Sequence, residues 1–115
     1  MRVELTRFRV KSGKSKIVDE WMGFLNANLP SVLETLEGEK MYVEAIFREV
    51  FHGEEYLYWF SVQGEEGIEV TQSEHWIDKK HLEYWRECID PDFPAQDLTL
   101  EAVFIPEHIR DVMER

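Results

Sequence analysis

The chain has 115 residues, of which 43% are apolar and 13% aromatic, and its formal net charge is −11. This length suits one domain, and the apolar fraction is enough for a hydrophobic core, which excludes a disordered chain. The excess of acidic groups repels phosphate backbones and anionic lipids, so we expect no nucleic acid and no membrane surface as partner. The single cysteine, Cys88, and the absence of an apolar leader or a membrane-length apolar run predict a cytoplasmic protein.

The first third of the chain predicts a strand followed by helix. Residues 2–10 alternate apolar and polar side chains, which is typical of a strand. Residues 14–28 place their apolar side chains at helical spacing. Pro30 predicts a kink or a restart of the helix, and Gly38 predicts its end.

The rest of the chain predicts a hairpin, a helix and a last strand. Residues 40–51 and 55–63 are the clearest strands, with a two-residue turn at Gly53 and Glu54 between them. Residues 77–89 predict a helix that Asp78 caps, whereas residues 67–74 are ambiguous. Residues 98–105 predict the last strand, and a short helix follows Pro106.

This β-α-β-β-α-β order predicts an α+β protein with a ferredoxin-like fold, in which both helices cover one face of a four-stranded antiparallel sheet. We assign residues 1–105 to this domain and residues 106–115 to a short C-terminal helix or tail.

The two faces of the predicted hairpin differ in polarity. We expect the face with Phe47, Phe51, Tyr58 and Phe60 to be the floor for the helices. The opposite face carries the apolar side chains Ile46, Val50, Leu57 and Trp59. A solvent-exposed sheet face is normally polar, so we expect this face to be covered. We therefore predict a homodimer in which a second copy covers this face and leaves a cavity beside it.

Polar side chains share that second face. Glu44 and Arg48 are four residues apart on one strand, and Trp59 and Ser61 lie near them on the next. In one interpretation they form a pocket floor, with Glu44 as acid or base and Arg48 as anion clamp. In the other they form an intersubunit ion pair. Tyr42 is predicted to line the same space.

The helix over residues 77–89 supplies the remaining candidates. His75, Asp78 and His81 are three residues apart, which suits a metal site less well than helix capping, so we expect no metal. His81 shares one side of this helix with Tyr84, and a histidine there suits general base catalysis. We predict that His75 and His81 act with Glu44 as catalytic residues, and that Tyr84 contacts the ligand.

The sequence lacks the phosphate loop, dinucleotide fingerprint and nucleophile elbow of cofactor-dependent and nucleophilic enzymes, so we expect no cofactor.

Three segments, MYVEAIF, EYLYWF and HWIDKKHLEYWRECI, resemble a group of small bacterial proteins known as a domain of unknown function. That group lies within the dimeric α/β-barrel superfamily, so the resemblance implies a ferredoxin-like dimer and no particular reaction. NLPSVLETLEGEKMYVEAIF and LTLEAVFI are similar, more weakly, to the sugar mutarotases of the same superfamily. Those enzymes carry a catalytic histidine shortly before the proline, whereas residues 25–29 here read LNANL.

Two functional hypotheses follow from the sequence. In the first, the protein binds or transforms a small molecule in a cavity between sheet and helices. In the second, it is a non-catalytic structural or interaction dimer with a filled interior.

Overall fold

The computed structural model describes residues 1–65 and 67–114. The strands are β1 (Arg2–Arg9), β2 (Met41–Phe51), β3 (Glu54–Gln63) and β4 (Gln96–Asp97), and the helices are α1 (Ser15–Ala27), α2 (Leu29–Glu39), α3 (Trp76–Cys88) and α4 (Glu107–Met113). The sheet is antiparallel throughout, in the order β2-β3-β1-β4. This architecture confirms the predicted α+β class and the ferredoxin-like order of strands.

The core lies between one face of the sheet and the helices. Trp21 and Val18 of α1 are fully buried against Leu57 of β3 and Cys88 of α3. The apolar stripe predicted for α1 therefore faces the sheet. No helix in the described part of the chain is long and apolar enough to cross a membrane.

Of the two predicted alternatives, a kink or a restart of the helix near Pro30, the structure shows the restart. Asn28 separates α1 from α2, and the proline occupies the first turn of α2, where its missing N–H removes no intrahelical bond. The helix continues past Gly38 and ends at Lys40, whose φ of 54° is left-handed.

The hairpin turn consists of His52 and Gly53, one residue earlier than predicted. Both residues have positive φ, 52° and 77°, as a tight two-residue hairpin turn requires. Phe51 therefore pairs with Glu54, and Glu44 pairs with Ser61. The faces keep their predicted members, because the two alternative pairings differ by an even number of residues.

The prediction that the face with Phe47 meets the helices, and that a second copy covers the face with Leu57, was wrong. Leu57 is fully buried under the helices, and Phe8 of β1 lies beside it on the same face. On the opposite face Phe47 is 60% exposed. The prediction used the hairpin alone and took the face with more aromatic side chains as the core face. That face is the outer one, and the neighbouring strand β1 adds Phe8 to the inner face.

The predicted last strand over residues 98–105 was also wrong. Only Gln96–Asp97 pairs with β1, and the ladder ends with the bond from the Leu98 N–H to the Leu5 carbonyl, at 2.9 Å. The residues up to Pro106 have no regular secondary structure. Most of their apolar side chains are exposed, and Phe104 reaches 90%. This segment has the composition of a strand, but it does not continue the pairing with β1 that ends at Leu98.

Candidate functional site

A cavity of about 780 Å³ lies between the inner face of the sheet and helices α1, α2 and α3. Its volume falls within the range of roughly 300–1,000 Å³ that small-molecule sites occupy. Phe8, Met22, Trp59 and Trp85 form apolar walls. The polar lining includes Thr6, Ser61, Gln63 and His81, together with five carboxylic acids: Glu4, Glu39, Glu44, Glu69 and Asp78.

Glu44 stands on the floor of this cavity, on the inner face of β2. The indole N–H of Trp59 donates a hydrogen bond to its Oε2 at 3.0 Å. Glu44 is an exposed residue, but the protein around its carboxyl group reduces hydration and raises its pKa, and the charge of Asp78 adds to that shift. The hydrogen bond from Trp59 opposes the shift in pKa. Glu44, Trp59 and Ser61 therefore line one cavity, which lies under the chain's own helices and not on a face covered by a second copy.

Glu39, the last residue of α2, is a site residue that the sequence analysis missed. It is only 7% exposed, and burial raises its pKa to about 7, with further increases from the charges of Glu44, Asp78 and Glu69. Gly67 packs so closely that a Cβ there would overlap the carbonyl oxygen of Glu39. Nothing in the sequence around Glu39 distinguishes it from an ordinary exposed glutamate near the end of a helix, so its burial could not be predicted.

His81 of α3 lines the cavity as a neutral imidazole. Burial lowers its pKa to about 4, and the charge of Asp78 offsets only part of that effect. Its Nδ1 accepts a hydrogen bond from the indole N–H of the fully buried Trp21, at 3.0 Å. Because an indole nitrogen can only donate, the ring proton of the neutral form must be on Nε2. His81 is therefore a fixed donor rather than a base of ordinary strength.

Asp78 lines the cavity from the first turn of α3, and the predicted cap role was wrong. His75 is the cap residue, since its Nδ1 accepts the N–H of Ile77 at 3.2 Å. Asp78 is 5% exposed, and its Oδ2 is buried without a hydrogen-bond donor among the described residues. The positive end of the helix dipole favours a carboxylate in this turn, but it supplies this oxygen with no bond.

The structure does not bring Arg48 to the cavity, which corrects its predicted placement beside Glu44. Its guanidinium group binds Glu55 at 2.6 Å and also contacts Asp19 and Ser15, at the other end of the hairpin. Four residues along a strand separate side chains by about 13 Å, so Glu44 and Arg48 share a face without sharing a site.

Three further candidates lie outside the cavity. Tyr42 occupies a bulge between Met41 and Val43, which turns its ring to a second hollow of about 470 Å³. Tyr84 stacks on Trp21 at a ring distance of 6.3 Å. His75 caps α3 and binds Glu34 through Nε2 at 2.9 Å. The placement of these side chains supports structural roles.

The described residues contain no group of three histidine, cysteine or acidic side chains arranged to hold a metal ion. The carboxyl groups of the cavity influence one another's pKa without converging on one point.

Comparisons with known proteins agree with the fold. The L-rhamnose mutarotase from Formosa agariphila has a similar structure, with a TM-score of 0.54 and 18% sequence identity over 93% of this chain and all of the mutarotase chain. This likeness confirms the predicted similarity of the fold to that of a mutarotase. A search of curated proteins finds no match. The model of a family of unknown function, DUF6176, matches residues 1–111, as the resemblance to an uncharacterised family predicted. The chain therefore belongs to this family of unknown function.

Proposed function

We propose that this protein is an enzyme that binds a small hydroxylated ring in the cavity and moves protons on it with Glu39 and Glu44. The observation that carries the proposal is that two carboxyl groups with raised pKa values line a ligand-sized cavity with tryptophan walls. The pKa of Glu39, about 7, suits acid–base catalysis at neutral pH, and the pKa of Glu44 is shifted in the same direction.

The lining supplies one group for each task of such a reaction. Glu39, with a pKa of about 7, is able either to donate or to accept a proton near neutral pH. Glu44 is held in place by Trp59, and the Nε2–H of His81 is available as a hydrogen-bond donor. The rings of Trp59 and Trp85 offer flat surfaces on which the apolar face of a sugar ring can pack.

Ring opening of a monosaccharide is the reaction that suits this arrangement. One carboxylate removes the proton of the anomeric hydroxyl while one carboxylic acid protonates the ring oxygen. The ring C–O bond then breaks, an aldehyde forms, and closure on its other face returns both protons. The reaction needs one acid, one base and no cofactor, so the histidine that the mutarotases carry before the proline is not required for it.

The alternative of a structural dimer with a filled interior has less support. A filled interior requires closely packed side chains in this space, whereas a cavity of about 780 Å³ with polar walls lies there.

Anomer exchange measured by saturation-transfer NMR tests the proposal across a panel of reducing monosaccharides. We expect the wild type to accelerate exchange of at least one sugar, and Glu44→Gln to abolish the effect without loss of folding. Glu20→Gln, which neutralises an exposed carboxylate on α1, is the matched control and should retain full activity. A wild type that leaves every exchange rate unchanged would refute the proposed reaction.

We further propose that the protein works as a homodimer in the cytoplasm, binding neither nucleic acid nor membranes. The apolar outer face of the sheet, with Val43, Phe47 and Phe51, and the apolar segment with Leu100 and Phe104 are both exposed in one copy. Exposed apolar surface of this extent favours association with a second copy. The buried free thiol of Cys88 suits a reducing compartment.

A further inference from the structure

The charges around the cavity are unbalanced. Five carboxylic acids line it, and no lysine or arginine does. One of the five, Glu4, forms an ion pair with Arg2, which does not line the cavity, at 3.5 Å. Among the described residues no basic side chain forms an ion pair with Glu39, Glu44, Glu69 or Asp78. His81, the only basic side chain in the lining, is neutral because of its burial.

Asp78 gives a second, independent indication of what is missing. Its side chain is almost completely buried on the cavity wall, and one of its oxygens has no hydrogen-bond donor. A buried carboxylate without a partner is costly, and proteins usually provide it with a donor or an opposite charge. This oxygen is shielded from solvent, so a positive charge in the cavity would balance Asp78 through space rather than by a direct hydrogen bond, and it would attract the other four carboxyl groups as well.

We propose that the ligand of this cavity is a cation, specifically a hydroxylated ring that carries a primary ammonium group, such as an amino sugar. This inference rests on the proposed function and adds the charge of the substrate. The ammonium group balances Asp78, Glu39 and Glu44, and the ring packs on Trp59 and Trp85. Anionic ligands are excluded, because they would meet only like charge in a partly desolvated site.

The proposal includes a proton linkage. Glu39 is raised to a pKa of about 7 by burial and by Glu44, Asp78 and Glu69. A bound ammonium group offsets these effects and lowers that pKa, so Glu39 loses a proton when the amine binds near pH 7. A neutral ring of the same shape leaves the proton in place. Affinity for the amine should therefore rise as pH increases through 7.

A matched set of ring compounds tests the charge directly. The probes are trans-aminocyclohexanol, trans-cyclohexanediol and trans-hydroxycyclohexanecarboxylate, which present an ammonium, a hydroxyl and a carboxylate group on one ring. Binding is measured by calorimetry at neutral pH in two buffers of different ionisation enthalpy, which reports proton release. We expect the amine to bind at least about tenfold more tightly than the diol, the carboxylate not to bind, and only the amine to release protons.

Variants locate the effect. Asp78→Asn should reduce the preference for amine over diol, and Glu39→Gln should abolish proton release while amine binding persists. Glu20→Gln is the control and should behave as the wild type. If Asp78→Asn does not fold, the comparison of amine and diol on the wild type still decides the outcome.

The two proposals fail in different ways. Equal binding of amine and diol, with Glu44-dependent sugar turnover intact, would overturn the cationic ligand and leave the proposed function standing. Binding of Ca²⁺ or Mg²⁺ in place of the amine would overturn it in favour of a metal site. Absence of binding by all three ring compounds would count against the cationic ligand, and absence of any sugar turnover would independently refute the enzyme.

Discussion

At the scale of single residues, position in the fold decides the chemistry of each acid. Glu39 and Glu37 lie two residues apart on α2, yet Glu39 is buried on the cavity and Glu37 is exposed. Burial near other carboxyl groups raises the pKa of Glu39 to about 7. The same fold lowers the pKa of His81 to about 4, so that the ordinary order of acid strength of a glutamate and a histidine is reversed.

Glu39→Gln should change how stability depends on pH. In the wild type the carboxyl group holds its proton more tightly when folded than when unfolded, so the free energy of unfolding falls as pH rises from about 4.5 to about 7. This shift in pKa changes the free energy of unfolding by roughly 3 kcal/mol. The variant has no such proton and should be the more stable protein at about pH 8, with little difference at about pH 4.

Urea unfolding at several pH values measures this effect. Glu37→Gln is the matched control, because its carboxyl group is exposed on the same helix. Parallel stability profiles for Glu39→Gln and the wild type would contradict the raised pKa of Glu39.

At the scale of elements, helix α3 has both a structural cap at its N-terminus and a cavity residue, His81, further along. Its N-terminus is capped by the ring of His75, which accepts the N–H of Ile77 and binds Glu34 of α2 with its other nitrogen. This arrangement connects the two helices at one end of the cavity. Two turns further along, His81 faces the cavity and Trp21 fixes its tautomer.

His75→Ala should lower the free energy of unfolding by about 1 kcal/mol, the usual contribution of a helix cap. His75→Asn should recover most of this loss, because an asparagine oxygen accepts the same N–H. Chemical denaturation of the three proteins measures the difference. Neither variant should change sugar turnover, and a selective loss of activity with intact stability would contradict the structural role of His75.

At the scale of the whole molecule, two apolar surfaces remain uncovered in a single copy. Three apolar side chains on the outer sheet face, Val43, Phe47 and Phe51, are each at least 42% exposed. The segment after β4 has strand-like composition, and its Phe104 is 90% exposed. An unpaired segment and an open sheet in the same chain are complementary features when two copies meet.

The proposed dimer predicts that the wild type has twice the monomer mass in light scattering at micromolar concentration. Phe104→Glu and Phe47→Glu should each shift the equilibrium towards monomer, because they place a charge in an apolar interface. Leu33→Glu, at a 58% exposed position on α2, is the matched control and should remain dimeric. A monomeric wild type would refute the proposal. Trp59, which the sequence analysis assigned to this interface, lies instead on the cavity wall.

Local patterning by itself determined most of the elements of this protein, but not the last strand. Alternation over residues 2–10 and along the hairpin specified strands, and the apolar stripe before Pro30 specified a helix that is either kinked or restarted at the proline. Strand periodicity also decided which side chains share a face, so Glu44, Trp59 and Ser61 were correctly grouped. These properties depend on neighbours along the chain, which is why a single sequence contains them.

Only the tertiary structure decided which face meets the helices and which acids meet each other. The inner face was settled by Phe8 of β1 and by α1, whose contacts with Leu57 are distant in sequence. Glu39 lies in the site because α2 ends beside Gly67. Arg48 lies outside it because a strand extends about 3.3 Å per residue, which separates Arg48 from Glu44. Burial and charge coupling arise from such packing between distant segments, so the pKa values that define the cavity cannot be read from residue spacing.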